Sequence, residues 1–263
     1  MRVLSLLLHD VYERDASESG FAGPGADRYK LSVAELEAQL AAVGRVRRDR
    51  PILLSEPPTG AGATIPFAIT VDDGGLSYYT AVADRLEARG WRGHCLVTTG
   101  FIGRRGFLDA RHLRELRARG HVSGTHSVSH PPRFAACTRA QMLREWSDSR
   151  KTLQDILGED VNVGSIPGGY FSRDVARAAD AAGLKVLFTS EAHTRVRRIG
   201  GCRLIGRFAV RAGDRPEFSA RLANLERFTL WREWAVWNGK KAAKFVLGAD
   251  YPRLVEWAIR AGR

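Results

Sequence analysis

Two short stretches of this 263-residue chain carry residue types suited to metal-assisted hydrolysis. His126 and His130 stand four apart in GHVSGTHSVSH. If the chain turns helically after Thr125, both imidazoles lie on one face, one turn apart, at a spacing that suits a divalent ion. Asp72 and Asp73 close an apolar run, Pro66 to Val71, and are followed by Gly74 and Gly75. Adjacent carboxylates are costly to hold together unless a cation or a shared proton relieves their repulsion, and a glycine pair behind them lets the chain place both near one point. One carboxylate and two imidazoles would leave open positions on a tetrahedral or octahedral metal, as in a catalytic rather than a structural site, with the second carboxylate free to act as a base. The competing readings are a surface histidine pair and an Asx-type turn with solvated side chains.

The elements that must position these residues alternate. The opening MRVLSLLLHDV reads as a buried strand rather than a signal peptide. A Gly/Ala/Asp-rich loop from Ser17 to Asp27 follows, then a helix from Ser32 to Val43 with Ser32 as cap and Glu35 three residues on. A turn-rich bridge over 56–64 leads to the apolar run that ends at Asp72. Beyond it the periodicity predicts helices over Ser77–Arg89, Asp109–Arg119, Arg139–Leu157 and Ser172–Ala182. Strands are predicted over His94–Thr98, His121–Gly124, near Val163, over Lys185–Thr189 and over Arg203–Val210. Such alternation argues for an α/β fold: a distorted (β/α) barrel of seven or eight mostly parallel strands, with active residues at the carboxyl ends of the strands. Residues 1–263 read as a single barrel domain, with an appended helical tail from about 215 onward. In that tail Trp231, Trp234 and Trp237 precede Lys240, Lys241 and Lys244. The stripe either packs across the open side of the barrel, stacks on sugar, or makes a peripheral contact with an anionic membrane.

The net charge of +12 admits anionic partners, but no basic block with interleaved aromatics marks a nucleic-acid groove, so no specific nucleic acid is expected. Arginine spread over nearly every helix is the plainer source of that charge. Cys95, Cys137 and Cys202 form neither a disulfide framework nor a metal knuckle, and with no apolar stretch long enough to span a bilayer a reducing cytoplasm fits best.

TVDDGG at 70–75 resembles the first motif, T-F-D-D-G, of the polysaccharide deacetylases (carbohydrate esterase family four, the chitooligosaccharide deacetylase homology domain). HSVSH at 126–130 resembles their second, H-[ST]-x-x-H, and PGGY at 167–170 falls where the third, R-x-P-[FY]-G, is expected. GHCLVTTGFIG and FLDARHLRELRARGHVSGTHS follow the family's intervening strand and helix, so the resemblance covers roughly residues 1–210. It implies that Asp73, His126 and His130 ligate a divalent metal, zinc first and cobalt, nickel or manganese as alternatives, and that Asp72 is the general base. The implied activity is removal of the N-acetyl group from an amino sugar in a glycan or glycan precursor.

Two departures qualify that pattern. Ser165 stands where the family's third-motif arginine would orient the base, leaving Arg104, Arg173 or Arg207 to fill the role. Pro167 and Gly168 would then shape the pocket wall, with Tyr170 offering a hydroxyl or ring to the substrate. No histidine follows His193, so the family's last-strand proton donor is missing. His9 with Asp10 beside it, ending the first strand and neighbouring the last around a barrel, is the favoured replacement. Glu191 and His193 are the alternatives, and Glu191 is also a candidate substrate contact. The competing functions are hydrolysis of a non-sugar cyclic amide and a metal- or glycan-binding homologue without turnover.

Overall fold

The structure is a computed structural model that describes residues 1–55 and 64–247, with side chains described as far as Lys241. The bridge expected over 56–64 lies outside the described residues except for Thr64, as do the end of the tail from 248 and the side chain of Lys244. The strands are β1 (Leu4–Leu8), β2 (Val11–Tyr12), β3 (Leu31–Ser32), β4 (Phe67–Val71), β5 (His94–Val97), β6 (Val122–Thr125), β7 (Val163–Ser165), β8 (Val186–Phe188), β9 (Arg197–Ile199), β10 (Cys202–Ile205) and β11 (Phe208–Ala209). The helices are α1 (Pro24–Asp27), α2 (Val33–Val46), α3 (Ala83–Glu87), α4 (Ala110–Ala118), α5 (Arg139–Leu157), α6 (Arg173–Ala181), α7 (Pro216–Ala223) and α8 (Arg227–Leu247). Ser32 caps α2 in a reciprocal box with Glu35, and Thr138 does the same for α5 with Gln141, which fixes where each helix begins.

Nine strands form one sheet in the order β11-β1-β4-β5-β6-β7-β8-β10-β9. Every pairing in it is parallel except β9 with β10. Consecutive strands β10 and β11 pair near opposite ends of this order, yet only Gly206 and Arg207 separate them. Two residues reach no further than about 10 Å, so the sheet must roll until its two ends face each other across that seam. The result is a curled half-barrel with helices outside. The expected single strand over Arg203–Val210 is thus broken in two, which with the short antiparallel β9 makes nine strands rather than seven or eight.

Side-chain alternation sorts each strand into an inner and an outer face. Val3, Ala68, Leu96, Val163, Val186, Phe188 and Ile205 pack together as the layer inside the barrel. Leu4, Leu6, Leu8, Phe67, Ile69 and Val71 belong to the larger outer core, which they share with Leu36, Leu40 and Val43 of α2. Each apolar side chain buried in this way stabilises by roughly 1.5–3 kcal/mol before entropy is counted.

Candidate active site at the rim of the barrel

Counting in twos from the inner layer leads to the site. His9 is in phase with Val3, Asp72 with Ala68, Ser165 with Val163, and Arg207 with Ile205, so each continues an inward-facing row past the carboxyl end of its strand. Asp73 is out of phase and would point away from Asp72. Its backbone is instead left-handed (φ 78°), a costly conformation for a residue with a Cβ, and this turns its carboxylate back toward the barrel mouth.

Asp72 is gripped from the seam. Arg207 donates from Nη1 to Oδ1 and from Nη2 to Oδ2, both at 2.7 Å, and both residues are buried. The guanidinium is itself fixed by Thr70 Oγ1 (3.2 Å) and by the carbonyl of Thr189, which accepts from Nε at 3.1 Å. Gly206 lies so close to the carbonyls of Glu191 and His193 that no side chain would fit, so glycine is what allows the seam to place Arg207 inside. Ser165 Oγ adds a third donor to Asp72, at 2.9 Å. Burial pushes the Asp72 carboxyl up, but Arg207 and then His126 outweigh it and hold the group well below the usual carboxylate range. Of the three candidate arginines, it is Arg207, from the far end of the sheet, that reaches Asp72. Arg104 lies over the Phe101 ring (4.5 Å) and Arg173 is exposed at the start of α6.

Asp73, His126 and His130 converge, with one potential ligand atom from each lying within 4.8 Å of the others. His126 Nε2 is 3.5 Å and His130 Nε2 3.7 Å from Asp73 Oδ1, too far for hydrogen bonds and open enough for an ion between them. The Ser165 carbonyl, 3.0 Å from His126 Nδ1, can only accept, so Nδ1 carries the proton and Nε2 presents a lone pair toward Asp73. Burial lowers His126 to about 3 and lowers His130 as well, so both rings are neutral near pH 7. Burial, together with Asp10 and Asp72, raises Asp73 well above its ordinary value. A carboxylate and two neutral imidazoles facing a common point fit a divalent cation.

The two histidines do not sit on a helix. Residues 126–130 form a non-helical turn with Ser127 (φ 69°) and His130 (φ 52°) left-handed. Thr125 Oγ1 accepts from Ser127 N at 3.0 Å and Ser127 Oγ from His130 N at 3.1 Å. Glu145 of α5 accepts from Val128 N (2.8 Å), Ser129 N (2.9 Å) and Ser129 Oγ (2.7 Å), and Ser149 of α5 bonds Thr125 Oγ1 at 2.6 Å. These partners replace the hydrogen bonds a helical turn would have made.

Residues 61–187 match the polysaccharide deacetylase family model, a stretch holding Asp72, Asp73, His126, His130 and Ser165. Over that stretch, just under half of the chain, the sequence is similar to the polysaccharide deacetylases. YxkH of Bacillus subtilis (strain 168), which carries the polysaccharide deacetylase name, is 24% identical over 123 residues, 47% of this chain and 44% of that protein. The chain thus spans less than half the length of that curated relative. IcaB from Ammonifex degensii superposes with a TM-score of 0.67 at 21% identity, over 85% of this chain and 97% of that one. The Streptococcus pyogenes deacetylase PplD gives 0.63 at 17% identity, over 86% and 96%. These two likenesses establish the fold. Arg207 lies beyond the matched stretch of the deacetylase model.

The other expected site residues are dispersed. His9 is half-buried, with its Nδ1 lacking a hydrogen-bond partner and its ring 4.8 Å from that of Tyr29. Burial lowers it to about 4, with Asp72 pulling upward and Arg207 and His130 downward, which puts it within electrostatic reach of the site. Pro167 and Gly168 form a short turn directly after β7, and the Tyr170 ring lies against Gly168. Glu191 is drawn to the tail: Lys241 of α8 bonds it at 2.9 Å, and His193 and then Lys241 lower it to about 2. Trp237 packs on Gly169 and the outer core, while Trp231 and Trp234 are 59% and 49% exposed. Among the described residues no helix is long and apolar enough to cross a membrane.

Sequence reasoning missed Glu145 and Ser149. Ser149 occupies a buried position in the otherwise apolar row Met142, Trp146, Leu153 and Leu157, and a polar residue on a core stripe was the available signal. It also passed over Asp10 as a support. That carboxylate is buried behind the Asp-Asp turn, accepts from Ser19 Oγ (2.7 Å) and Ser77 Oγ (2.9 Å), and leaves room for nothing larger than hydrogen at Gly20 and Gly75.

Proposed function

We propose that this chain is a metal-dependent deacetylase that hydrolyses the N-acetyl amide of an amino sugar. The observation that carries the reading is the pairing of two unlike carboxylates at one rim: Asp72 clamped by Arg207, and Asp73 facing the bare nitrogens of His126 and His130. The acetate held by PplD in its solved complex is consistent with an acetyl substrate.

A divalent ion, zinc first, held by Asp73, His126 and His130 would supply Lewis acidity toward a water and the amide carbonyl. Asp72 takes the proton of the attacking water. The Arg207 fork keeps Asp72 ionised at any working pH and fixes its direction, at the expense of basicity, so it serves only a water already made acidic. Ser165 couples the two halves by touching both Asp72 and His126. His9 donates the proton that the departing amine needs. As an imidazolium with a pKa of about 4 it is a strong acid but a scarce one, so the rate falls as pH rises above that value. Pro167, Gly168 and Tyr170 form the wall beside the sugar.

The test is elemental analysis of purified wild type and of an Asp73→Ala/His126→Ala variant, paired with acetate release from a panel of N-acetylated sugars. One metal per chain in the wild type, lost in the variant, with metal-dependent acetate release, is the expected result. Absence of metal from a reconstituted wild type overturns the reading.

A further inference from the structure

Strand register sets a second group of residues beside His9. Leu7 pairs with Ala209 and Val210 N donates to Leu7 O, so two residues further on His9 and Arg211 emerge side by side at the carboxyl ends of β1 and β11. The loop after β11 is tied to the one before β3, since Ala212 N donates to Arg28 O at 3.1 Å. Arg28 lies over the Tyr29 ring that also stacks on His9, its guanidinium carbon 5.3 Å from the ring centre. Half-buried Lys240 completes the group: it lies two turns beyond Glu233 on α8, on the face that Glu233 turns to Arg211, and burial and then Arg211 and Arg28 lower its pKa.

The charges here do not balance. Glu233 pairs with both Arg211 (3.6 Å) and Arg232 (3.1 Å), and Asp214 accepts from the backbone of Arg211. Among the described residues no carboxylate forms an ion pair with Arg28 or Lys240, and Arg211 Nε is buried without a hydrogen-bond partner. Three cations held together against their repulsion, two of them guanidinium forks, suit a multiply charged anion with several acceptor oxygens. A carboxylate would satisfy one fork; a phosphoryl group offers oxygens to all three.

We propose that Arg28, Arg211 and Lys240 form a phosphoryl-binding subsite next to His9, so that the substrate is an N-acetylated amino sugar carrying a phosphoryl group close to its acetamide. Adjacent strands lie about 4.8 Å apart, a separation that one sugar ring can bridge between the phosphoryl group and the amide. The substrate assignment rests on the deacetylase reading above; the anion site does not.

The experiment titrates inorganic phosphate into the metal-loaded protein at low ionic strength by calorimetry, for wild type, Arg28→Gln/Lys240→Gln and Lys240→Arg. It then compares kcat/KM for N-acetylglucosamine 1-phosphate and N-acetylglucosamine. Saturable binding in wild type, weakened at least about tenfold in the double variant and kept in Lys240→Arg, supports the site. Equal binding in wild type and double variant would place the phosphate on the metal and overturn it, as would no binding at all. A wild-type preference for the phosphorylated sugar that collapses in the double variant supports the substrate assignment, and equal rates on the two sugars overturn it. If neither sugar is hydrolysed while phosphate binding still depends on Arg28 and Lys240, the anion site stands and the deacetylase reading falls.

Discussion

The carboxylate of Asp72 meets three donors within 2.9 Å, two from Arg207 and one from Ser165, whereas that of Asp73, one residue on, faces two imidazole nitrogens at 3.5 and 3.7 Å. Burial acts on both and would raise both. Arg207 reverses it for Asp72, while Asp10 and Asp72 reinforce it for Asp73. A lone pair on His126 Nε2 aimed at an ionised carboxylate is repulsive, an opposition that a cation between the two would relieve. The neighbours teach that a buried charge is settled by its partners rather than by depth. One carboxylate has its counter-ion built in, and on the proposed reading the other receives one with the metal.

The sharpest break would come from exchanging the two behaviours. Asp72→Asn is expected to lower kcat by about 10²–10⁴-fold, the range for loss of a general base, with metal content unchanged. Asp73→Asn should lose the metal and the activity together. Metal retained in the second and lost in the first, by elemental analysis, would invert the assignment. Next in size is Arg207→Met, which strands Asp72 as an unpaired buried charge and should destabilise the fold by about 3–5 kcal/mol in denaturant unfolding. Asp72→Leu/Arg207→Met should recover most of that loss. A double variant as unstable as the single one would mean that Arg207 holds the seam by packing rather than by its charge. Ser165→Ala sharpens the comparison further by removing the hydroxyl shared between Asp72 and His126. Metal affinity should fall by about 10–100-fold, and an unchanged affinity would uncouple the two halves.

Much of this was legible because strands alternate and strand ends are abrupt. The parity that puts Val3 and Ala68 inside also puts His9 and Asp72 inside, and the capping residues Ser32 and Asp109 announce their helices. What was not legible was set by distant parts of the chain. Arg203–Val210 reads as one strand because nothing local shows that Gly206 must pass under the carbonyls of Glu191 and His193. Arg207 could not be chosen over Arg104 and Arg173 until the seam placed it beside Asp72. The four-residue spacing of His126 and His130 suggested a helical turn, yet Glu145 on α5 pulls the segment into left-handed bends that bring the rings together by another route. Residues at three-residue spacing on a helix step around it by about 60°, so Trp237 reaches the barrel while Trp231 faces water.

The smallest expected effect is in the pH dependence of the metal-free protein, where the two carboxylates should act with opposite sign. Asp72 sits below its ordinary value in the folded state, so its contribution to stability is fully present above about pH 3.9 and drains away as pH falls through the folded value. Asp73 sits above, so its ionisation costs stability progressively as pH climbs from about 3.9 to the folded value, and the loss is constant beyond that. Asp73→Asn should therefore raise the Tm of metal-free protein at neutral pH and change it less near pH 4, at about 2–4 °C per kcal/mol for a chain of this size. Asp72→Asn should lower it at every pH above 3.9 or so. Added metal should reverse the advantage of Asp73→Asn, because an ion that binds only the native wild type stabilises it in proportion to the logarithm of its concentration. Parallel Tm curves for the two substitutions, with or without metal, would show that Asp72 and Asp73 share one electrostatic environment and that the division between clamped base and waiting ligand is wrong.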